Sequence, residues 1–154
     1  MSKKYTITNI KETIKNMLLE DAEITKILLN GDENTYKNVK ELFNKVIFDY
    51  HRNREVEYST ISTPYIEFDV DENAFNHKYC VVMNIKMHKD IIHRENDSVN
   101  YLDLLADKVI SNIETTFGED IKNRRYKDTL SERVSNQVVT SKSHYAERAI
   151  VFFL

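Results

Sequence analysis

The first apolar pattern of the sequence has the period of an α-helix and covers about Ile10–Leu29. Its apolar residues recur at spacings of three and four, which places them on one stripe of a helix that can face a core. They are Ile10, Ile14, Met17, Leu18, Ile24 and Leu28. Asn9 is placed to cap this helix and Glu12 to complete a capping box, while Gly31 can adopt the left-handed conformation that ends it. The pattern therefore predicts a long amphipathic helix near the start of the chain.

A second helical pattern covers about Glu33–Asn53. Its apolar and aromatic residues also recur at three and four, and they are Tyr36, Val39, Leu42, Phe43, Val46, Ile47 and Tyr50. The β-branched and aromatic side chains at 46–50 would also suit a strand, because such side chains pack well on a pleated surface. We predict a helix for the whole segment and keep a strand at 46–50 as the alternative.

The pattern then changes from a helical period to alternation. Pro64 favours an extended backbone at the residue before it, and the residues 65–70 alternate between apolar and polar. The segment His77–Lys89 alternates for longer, and one of its faces consists of Tyr79, Val81, Met83, Ile85 and Met87. Because too few residues separate these two segments for a crossover connection, we predict that they form an antiparallel pair of strands.

The last part of the chain predicts one more helix and one or two strands. The helix begins at Ser98 and ends at about Phe117, where Gly118 can cap it. Its apolar stripe consists of Leu102, Leu105, Ala106, Val109, Ile110, Ile113 and Phe117. A short strand can form around Val138, and the nearly continuous apolar run at 149–154 is typical of a strand that is covered on both faces.

The predicted order of elements is helix, helix, two strands, helix and one or two further strands. Strands that are segregated from the helices in this way are typical of the α+β class. We therefore predict an α+β fold in which helices pack on one face of a mostly antiparallel sheet. The length of 154 residues matches one domain, so we expect residues 1–154 to form a single domain.

Composition and charge exclude several classes of function. The chain has 22 Lys and Arg against 25 Asp and Glu, and the net charge of −3 excludes a nucleic-acid binder that acts through bulk positive charge. Its two glycines, Gly31 and Gly118, cannot form the clustered loop that cradles a phosphate or a dinucleotide. The single cysteine, Cys80, cannot form an internal disulfide, and no apolar run approaches the ~20 residues that cross a bilayer.

The residues with reactive side chains form no specific catalytic or metal-binding pattern. His88 and His93 are five residues apart, which fits neither the helical spacing nor the alternate strand positions of a zinc site. Cys80 has no neighbouring base and is expected to be a small core residue. We therefore predict no catalytic, cofactor-binding or metal-binding residues.

Two polar segments are the candidates for contacts between subunits. Glu67 and Asp69 alternate with the apolar face of their strand, so we expect them on its solvent side. Such a pair can serve acid–base or metal chemistry, but it is more often a wet sheet face or one wall of a subunit contact. Arg124, Arg125 and Tyr126 belong to the strongest basic patch of the chain, a mixture that can also suit single-stranded nucleic acid. The net negative charge favours contact with acidic residues of a neighbouring subunit instead.

The order of helices and strands resembles that of a known protein family. An amphipathic helix is followed by a strand that begins Pro64-Tyr65-Ile66-Glu67-Phe68, a second strand at Tyr79–Ile85, a helix at Leu102–Phe117 and a closing strand at Ala149–Phe153. This order resembles the tail terminator, or tail completion, proteins of long-tailed bacteriophages. The resemblance covers about residues 9–29 and 64–154, and it consists of patterns of apolar residues rather than a chemical signature. The segment Glu33–Thr63 is longer than in the simplest members.

The resemblance implies a structural protein of the virion that is not an enzyme. Such proteins form a hexameric ring that caps the head-proximal end of the tail tube, stops its polymerisation and docks to the neck. The implied partners are further copies of the chain, the tail tube protein, a neck or connector protein and, in contractile tails, the sheath. Viral DNA would pass through the lumen without sequence-specific binding, and no membrane would be involved. The protein would be assembled into the tail in the host cytoplasm.

Two other functions remain as alternatives. The first is a different assembly protein, namely an adaptor or stopper of the head–tail connector. Adaptors are often more wholly helical, so the predicted strands favour the tail terminator. The second is a small enzyme or nucleic-acid-binding module that uses Glu67 and Asp69 or the basic residues at 124–127.

Overall fold

The computed structural model describes residues 4–29, 45–51, 64–73, 78–93, 98–122, 134–139 and 145–154. Within these ranges the α-helices are α1 (Ile7–Glu20), α2 (Ala22–Leu29) and α3 (Tyr101–Phe117). The strands are β1 (Ile47–Phe48), β2 (Tyr65–Asn73), β3 (Lys78–His88), β4 (Ser135–Val139) and β5 (Tyr145–Phe153). Short 3₁₀ helices follow β3 at Lys89–Ile91 and α3 at Gly118–Asp120. No helix in the described ranges has both the length and the apolar character needed to span a membrane.

The five described strands form one sheet in the order β1-β2-β3-β5-β4. β2 and β3 pair antiparallel, as the sequence predicts, and β5 pairs antiparallel with both β3 and β4. Only β1 runs parallel to its neighbour, with Ile47 opposite Ile66. This architecture confirms the predicted α+β fold with a mostly antiparallel sheet.

The core lies between the sheet and the three helices. The inward residues of the central strands have no measurable exposure, and they are Ile66, Phe68, Val81, Met83, Ile85, Ile150 and Phe152. The helices cover them with equally buried residues, which include Ile10, Ile14, Leu18, Leu105, Val109 and Ile113. Burial of a large aliphatic or aromatic side chain contributes about 1.5–3 kcal/mol, so this layer supplies much of the driving force for folding. The helices thus pack on one face of the sheet, as predicted.

The predicted first helix is divided into two helices at Asp21. α1 begins at Ile7, and Thr6 rather than Asn9 is its N-cap. Thr6 Oγ1 accepts the Asn9 N–H at 3.1 Å and Asn9 Oδ1 accepts the Thr6 N–H at 2.8 Å, so Asn9 completes the capping box that we assigned to Glu12. Asp21 has an extended backbone that ends α1, and its carboxylate caps the first turn of α2.

The helix predicted over 33–53 is wrong at the residues that the structure describes there. Ile47 and Phe48 form β1, so the strand that we kept as the alternative is confirmed at these two positions. Val46, Ile47 and Phe48 are all buried, and β-branched and aromatic side chains suit a pleated surface better than a helix. The remainder of the predicted helix, at 33–44 and 52–53, lies outside the described residues.

The third predicted helix and its end are confirmed, but the helix begins at Tyr101 rather than at Ser98. α3 begins after Asn100, whose side chain accepts the Asp103 N–H at 3.0 Å. Gly118 follows the last turn with a φ of 53°, a backbone conformation that residues with a Cβ rarely adopt. No atom lies within 4 Å of the place where a Cβ would stand, so backbone conformation rather than space favours glycine there.

The apolar run at 149–154 lies in a strand, as predicted, but its two faces are not equally buried. Ile150 and Phe152 face the helices and are fully buried, whereas Val151 and Phe153 face the other way and are partly exposed. The predicted cover is therefore complete on the face of Ile150 and Phe152 and partial on the other. Cys80 of β3 points in the same direction as Phe153 and is partly exposed, so it is not the core residue that we expected.

Candidate functional site: the open face of the sheet

The face of the sheet opposite the helices is called the open face here, and it has two different ends. Alternate residues of each strand point to this face. At one end lie Tyr65, Glu67, Lys86, His88, Tyr145 and Glu147; Glu67, Lys86 and Glu147 form the charged cluster. At the other end lie Cys80, Val82, Ala149, Val151 and Phe153, which form the apolar strip. The open face therefore combines buried charge with partly exposed apolar side chains.

The charged cluster joins the three central strands. Lys86 Nζ of β3 lies 3.3 Å from Glu67 Oε1 of β2 and 3.5 Å from Glu147 Oε1 of β5. The side chains of Lys86 and Glu67 are only 5% and 3% exposed, and that of Glu147 is 12% exposed. Since ions buried in this way lose hydration, each needs an oppositely charged partner within the protein. Lys86 supplies that partner to carboxylates from both neighbouring strands.

Aromatic rings surround the charged cluster. The centroid of the Tyr65 ring lies 6.1 Å from that of Phe48 on β1 and 6.2 Å from that of Tyr145 on β5. The Tyr145 ring also meets the imidazole of His88 at 5.6 Å. Lys86 Nζ lies 5.8 Å from the centre of the Tyr65 ring, within reach of a cation–π interaction. These rings exclude water from the ammonium group and so strengthen its attraction to the carboxylates.

The structure corrects the prediction for Glu67, one of the two acidic candidates for subunit contact. Glu67 was expected on a wet surface, but it is 2% exposed and belongs to the charged cluster. His51 Nδ1 also approaches Glu67 Oε1, at 3.7 Å. The contacts of Glu67 with Lys86 and His51 therefore hold its carboxylate in a buried, charge-paired position.

Asp69, the second acidic candidate, lies at the edge of the sheet beyond the end of β1. Asp69 Oδ1 accepts a hydrogen bond from the Val70 N–H at 2.8 Å and lies 2.9 Å from Lys11 Nζ of α1. Burial alone would raise the pKa of Asp69, but these hydrogen bonds, together with the charges of Lys11 and His51, lower it below its ordinary value. A charged side chain on an edge strand discourages pairing with another strand. The other interface candidates, Arg124, Arg125 and Tyr126, lie outside the described residues.

The apolar strip is a continuous patch across β3 and β5. Cys80 stands opposite Phe153 and Val82 opposite Val151 in the register of the two strands, and Ala149 stands one step further along. All five side chains are partly exposed. Lys78 Nζ lies 5.2 Å from the centre of the Phe153 ring and covers one end of the strip. The strip is therefore less deeply buried than Glu67 and Lys86 at the other end of the same face.

A cleft of about 350 Å³ lies at the end of the sheet near Tyr5. Asp120 Oδ2 accepts hydrogen bonds from the Tyr5 hydroxyl at 2.5 Å and from Lys4 Nζ at 2.7 Å. Burial, the hydrogen bond to Asp120 and the charge of Asp120 raise the pKa of Tyr5 to about 12. The hydrogen bonds from Lys4 and Tyr5 lower the pKa of Asp120. Tyr5 is therefore held protonated, and the cleft anchors the first described residues rather than presenting a nucleophile.

The histidines on the open face and beside it are occupied by backbone groups. His88 Nδ1 accepts the Asp90 N–H at 3.1 Å, and His93 Nδ1 lies 2.8 Å from the Val99 carbonyl oxygen. Within the described ranges, no group of three or more His, Cys, Asp or Glu side chains is arranged to hold a metal ion.

Two members of the charged cluster, Lys86 and Glu147, were not among the residues that the sequence singled out. Alternation places Lys86 on the face opposite Ile85 and Met87, so the sequence held no signal that its side chain is buried. The position of Glu147 just before the apolar closing segment gave none either. The sequence matches no protein-family model, and no curated protein matches it.

Proposed function

We propose that the chain is a structural subunit of a bacteriophage tail, which forms a hexameric ring on the head-proximal end of the tail tube. The ring ends polymerisation of the tube and joins the tail to the neck. The observation that carries this proposal is the order of elements along the chain. Amphipathic helices precede the antiparallel pair β2–β3, and α3 then leads to the closing apolar strand β5. This is the order that resembles the tail terminator proteins.

The shape of the subunit supports this role. A ring is built from heterologous contacts, in which each copy uses two different surfaces to meet its two neighbours. The sheet has two unlike edges, since β4 forms one side and the short β1 covers only the beginning of β2 on the other. The two edges lie on opposite sides of the sheet and so suit neighbours on either side.

A direct test mixes the purified chain with tail tube protein while the tubes polymerise. We expect native mass spectrometry to show a hexamer of the chain. We also expect electron microscopy to show a ring at one end of each tube and shorter tubes than in the control without the chain. A chain that stays monomeric in the presence of tubes and leaves their length unchanged would overturn the proposal.

The same experiment separates the tail terminator from a neck protein. Tube protein and a connector protein of the head are each immobilised, and binding of the chain is measured on both. A tail terminator binds the tube protein. Binding to the connector protein alone would indicate the adaptor or stopper of the head–tail connector instead.

A further inference from the structure

β2 is longer than the described strand that pairs with its outer side. Among the described strands, β1 pairs with Ile66 and Glu67 only, whereas β2 continues to Asn73. The Ile66 N–H donates to the Val46 carbonyl at 2.8 Å, so every second residue from Ile66 directs its backbone groups to the side of β1. Val70 is one of these residues and lies beyond the last pair of β1 and β2. Backbone groups in this position are a template on which another strand can add.

The Val70 N–H is bonded within its own strand. It donates to Asp69 Oδ1 at 2.8 Å, so a side chain occupies the donor that an added strand would need. A strand that paired here would have to displace the carboxylate from this hydrogen bond. It would also remove the charge from water, because the Asp69 side chain is 42% exposed. Both changes oppose the addition of a strand.

Lys11 and Asp69 enclose the edge of β2 from its two sides. Lys11 belongs to α1, which packs on the inner face of the sheet, whereas Asp69 points to the open face. Lys11 Nζ lies 2.9 Å from Asp69 Oδ1 and also donates to the Asp49 carbonyl oxygen at 2.7 Å. The Lys11–Asp69 contact, which we call the edge ion pair, therefore passes around the edge of β2 at the place where β1 ends.

We propose that Asp69, held by Lys11, closes the edge of β2 to a further strand and so prevents a second copy of the chain from extending the sheet. The edge ion pair blocks backbone pairing at Val70. It leaves contacts through side chains open to a neighbouring copy, so it is compatible with a ring and does not rest on the proposed function.

Replacement of Asp69 tests the proposal through the oligomers that the chain forms. Asp69→Ala removes both the acceptor and the charge. Oligomers that bind thioflavin T should appear at concentrations about tenfold lower than in the wild type, because an added strand no longer displaces a bonded carboxylate. Sedimentation velocity measures the oligomers directly. The matched control, Asp71→Ala, removes an exposed carboxylate two residues further along β2 and should behave as the wild type.

Two further variants separate the hydrogen bond from the charge. Asp69→Asn keeps an oxygen that can accept the Val70 N–H, so it should stay close to the wild type. Lys11→Met leaves Asp69 without the cation from α1 and should shift the onset in the same direction as Asp69→Ala by a smaller factor. Circular dichroism of the dilute proteins establishes that each variant is folded, and Lys11→Met keeps the proposal testable where Asp69→Ala does not fold.

Exchange of the Val70 amide with deuterated water reports on the edge itself. In dilute solution this amide should exchange faster in Asp69→Ala than in the wild type, because its acceptor is gone. It should become protected again as the variant is concentrated and a new strand pairs with it. Nuclear magnetic resonance measures both rates.

Two outcomes would overturn the proposal. One is an onset of association that is the same in Asp69→Ala, Asp71→Ala and the wild type. The other is association of Asp69→Ala without renewed protection of the Val70 amide, since the copies would then meet elsewhere. None of these readouts involves tail tubes, so their failure is distinct from a failure of the proposed function.

Discussion

Lys86 brings a charged ammonium group to a part of the sheet where its side chain is only 5% exposed. It stands between carboxylates from the two neighbouring strands, Glu67 and Glu147, at 3.3 and 3.5 Å. Loss of hydration offsets much of the attraction in such a cluster, so its net contribution to stability is small. Its effect is on register, because sliding any one strand by a residue would point its charge into the core.

Removal of Lys86 should therefore destabilise the fold far more than its net contribution suggests. Lys86→Met leaves Glu67 and Glu147 buried without the cation, and we expect the free energy of unfolding to fall by about 3–5 kcal/mol. Urea denaturation followed by circular dichroism measures the change. The matched control is Lys89→Met, which removes an exposed lysine one residue past β3 and should cost less than about 0.5 kcal/mol.

The triple variant Glu67→Gln/Lys86→Met/Glu147→Gln provides the opposite test. It removes the two carboxylates together with the cation, so most of the stability lost in Lys86→Met should return. Equal instability of the single and triple variants would contradict an electrostatic origin, and would indicate that the length of the lysine side chain is what matters.

Tyr5 gives a prediction for alkaline pH. Its hydroxyl donates to Asp120, and its pKa is raised from 10.0 to about 12 in the folded protein. The protonated form is favoured by folding, so its contribution to stability is complete below pH 10.0 and is lost as the pH rises towards 12. Chemical denaturation between these pH values should show a loss of stability that is smaller in Tyr5→Phe. Absorbance titration of tyrosinate should show that Asp120→Asn lowers the pKa of Tyr5. A decline with pH that is identical in wild type and Tyr5→Phe would contradict this assignment.

At the scale of elements, the sequence predicted α3, β2, β3 and the closing strand well because each has a long periodic pattern. The sequence-based prediction was wrong where a single contact decides which element forms. Asp21 lies within a continuous helical pattern, and nothing in the periodicity shows that its carboxylate caps a second helix. Ile47 and Phe48 fit a helical stripe and a strand equally well, and pairing with Ile66 of β2 decides between them.

The same limit applies to the candidate site. Alternation correctly placed Glu67 on the face opposite the core, but it could not reveal that Lys86 and the surrounding aromatic rings bury that end of the face. Asp69 was correctly placed as well, yet its contacts come from Lys11 of α1, which is distant in sequence. Burial and long-range ion pairs depend on tertiary packing, which local patterns do not contain.

Asp21 stands at the break between α1 and α2, and its replacement tests what holds that break in place. Its carboxylate accepts the N–H groups of Glu23 and Ile24 at 2.9 and 3.2 Å and the side-chain amide of Asn112 at 2.6 Å. It thus starts α2 and ties the break between α1 and α2 to α3. Asp21→Ala should lower the free energy of unfolding by about 1–2 kcal/mol. Asp21→Asn, which keeps a capping oxygen, should lose less.

The pH dependence provides the control for Asp21. Burial raises the pKa of this carboxyl group, but the hydrogen bonds from Asn112, Ile24 and Glu23 and the charge of Lys108 outweigh it and lower the pKa below 3.8. Its contribution to stability is therefore present above pH 3.8 and is lost as the pH falls through the lower, folded-state pKa. Acid unfolding should show this loss in the wild type and not in Asp21→Ala. The same loss in both proteins would exclude Asp21 as its source.

At the scale of the whole molecule, the sheet has a fully packed inner face. Its open face carries the charged cluster at one end and the apolar strip at the other. The inner face depends on apolar burial, while the charged cluster holds β2, β3 and β5 in register. The apolar strip takes no part in either, and it lies beside the exposed charges of Asp71 and Lys122. The two ends of the open face therefore differ in both burial and charge.

The order of the sheet predicts how local stability is distributed. β3 lies in the middle with β2 and β5 hydrogen-bonded along its length, whereas β4 pairs with only β5 among the described strands. Amides that open only with global unfolding exchange most slowly, so peptides from β3 should exchange with deuterated water at the slowest rate and those from β4 much faster. Hydrogen-exchange mass spectrometry measures both. Protection of β4 equal to that of β3 would contradict this order, because it would require a second partner on the outer side of β4.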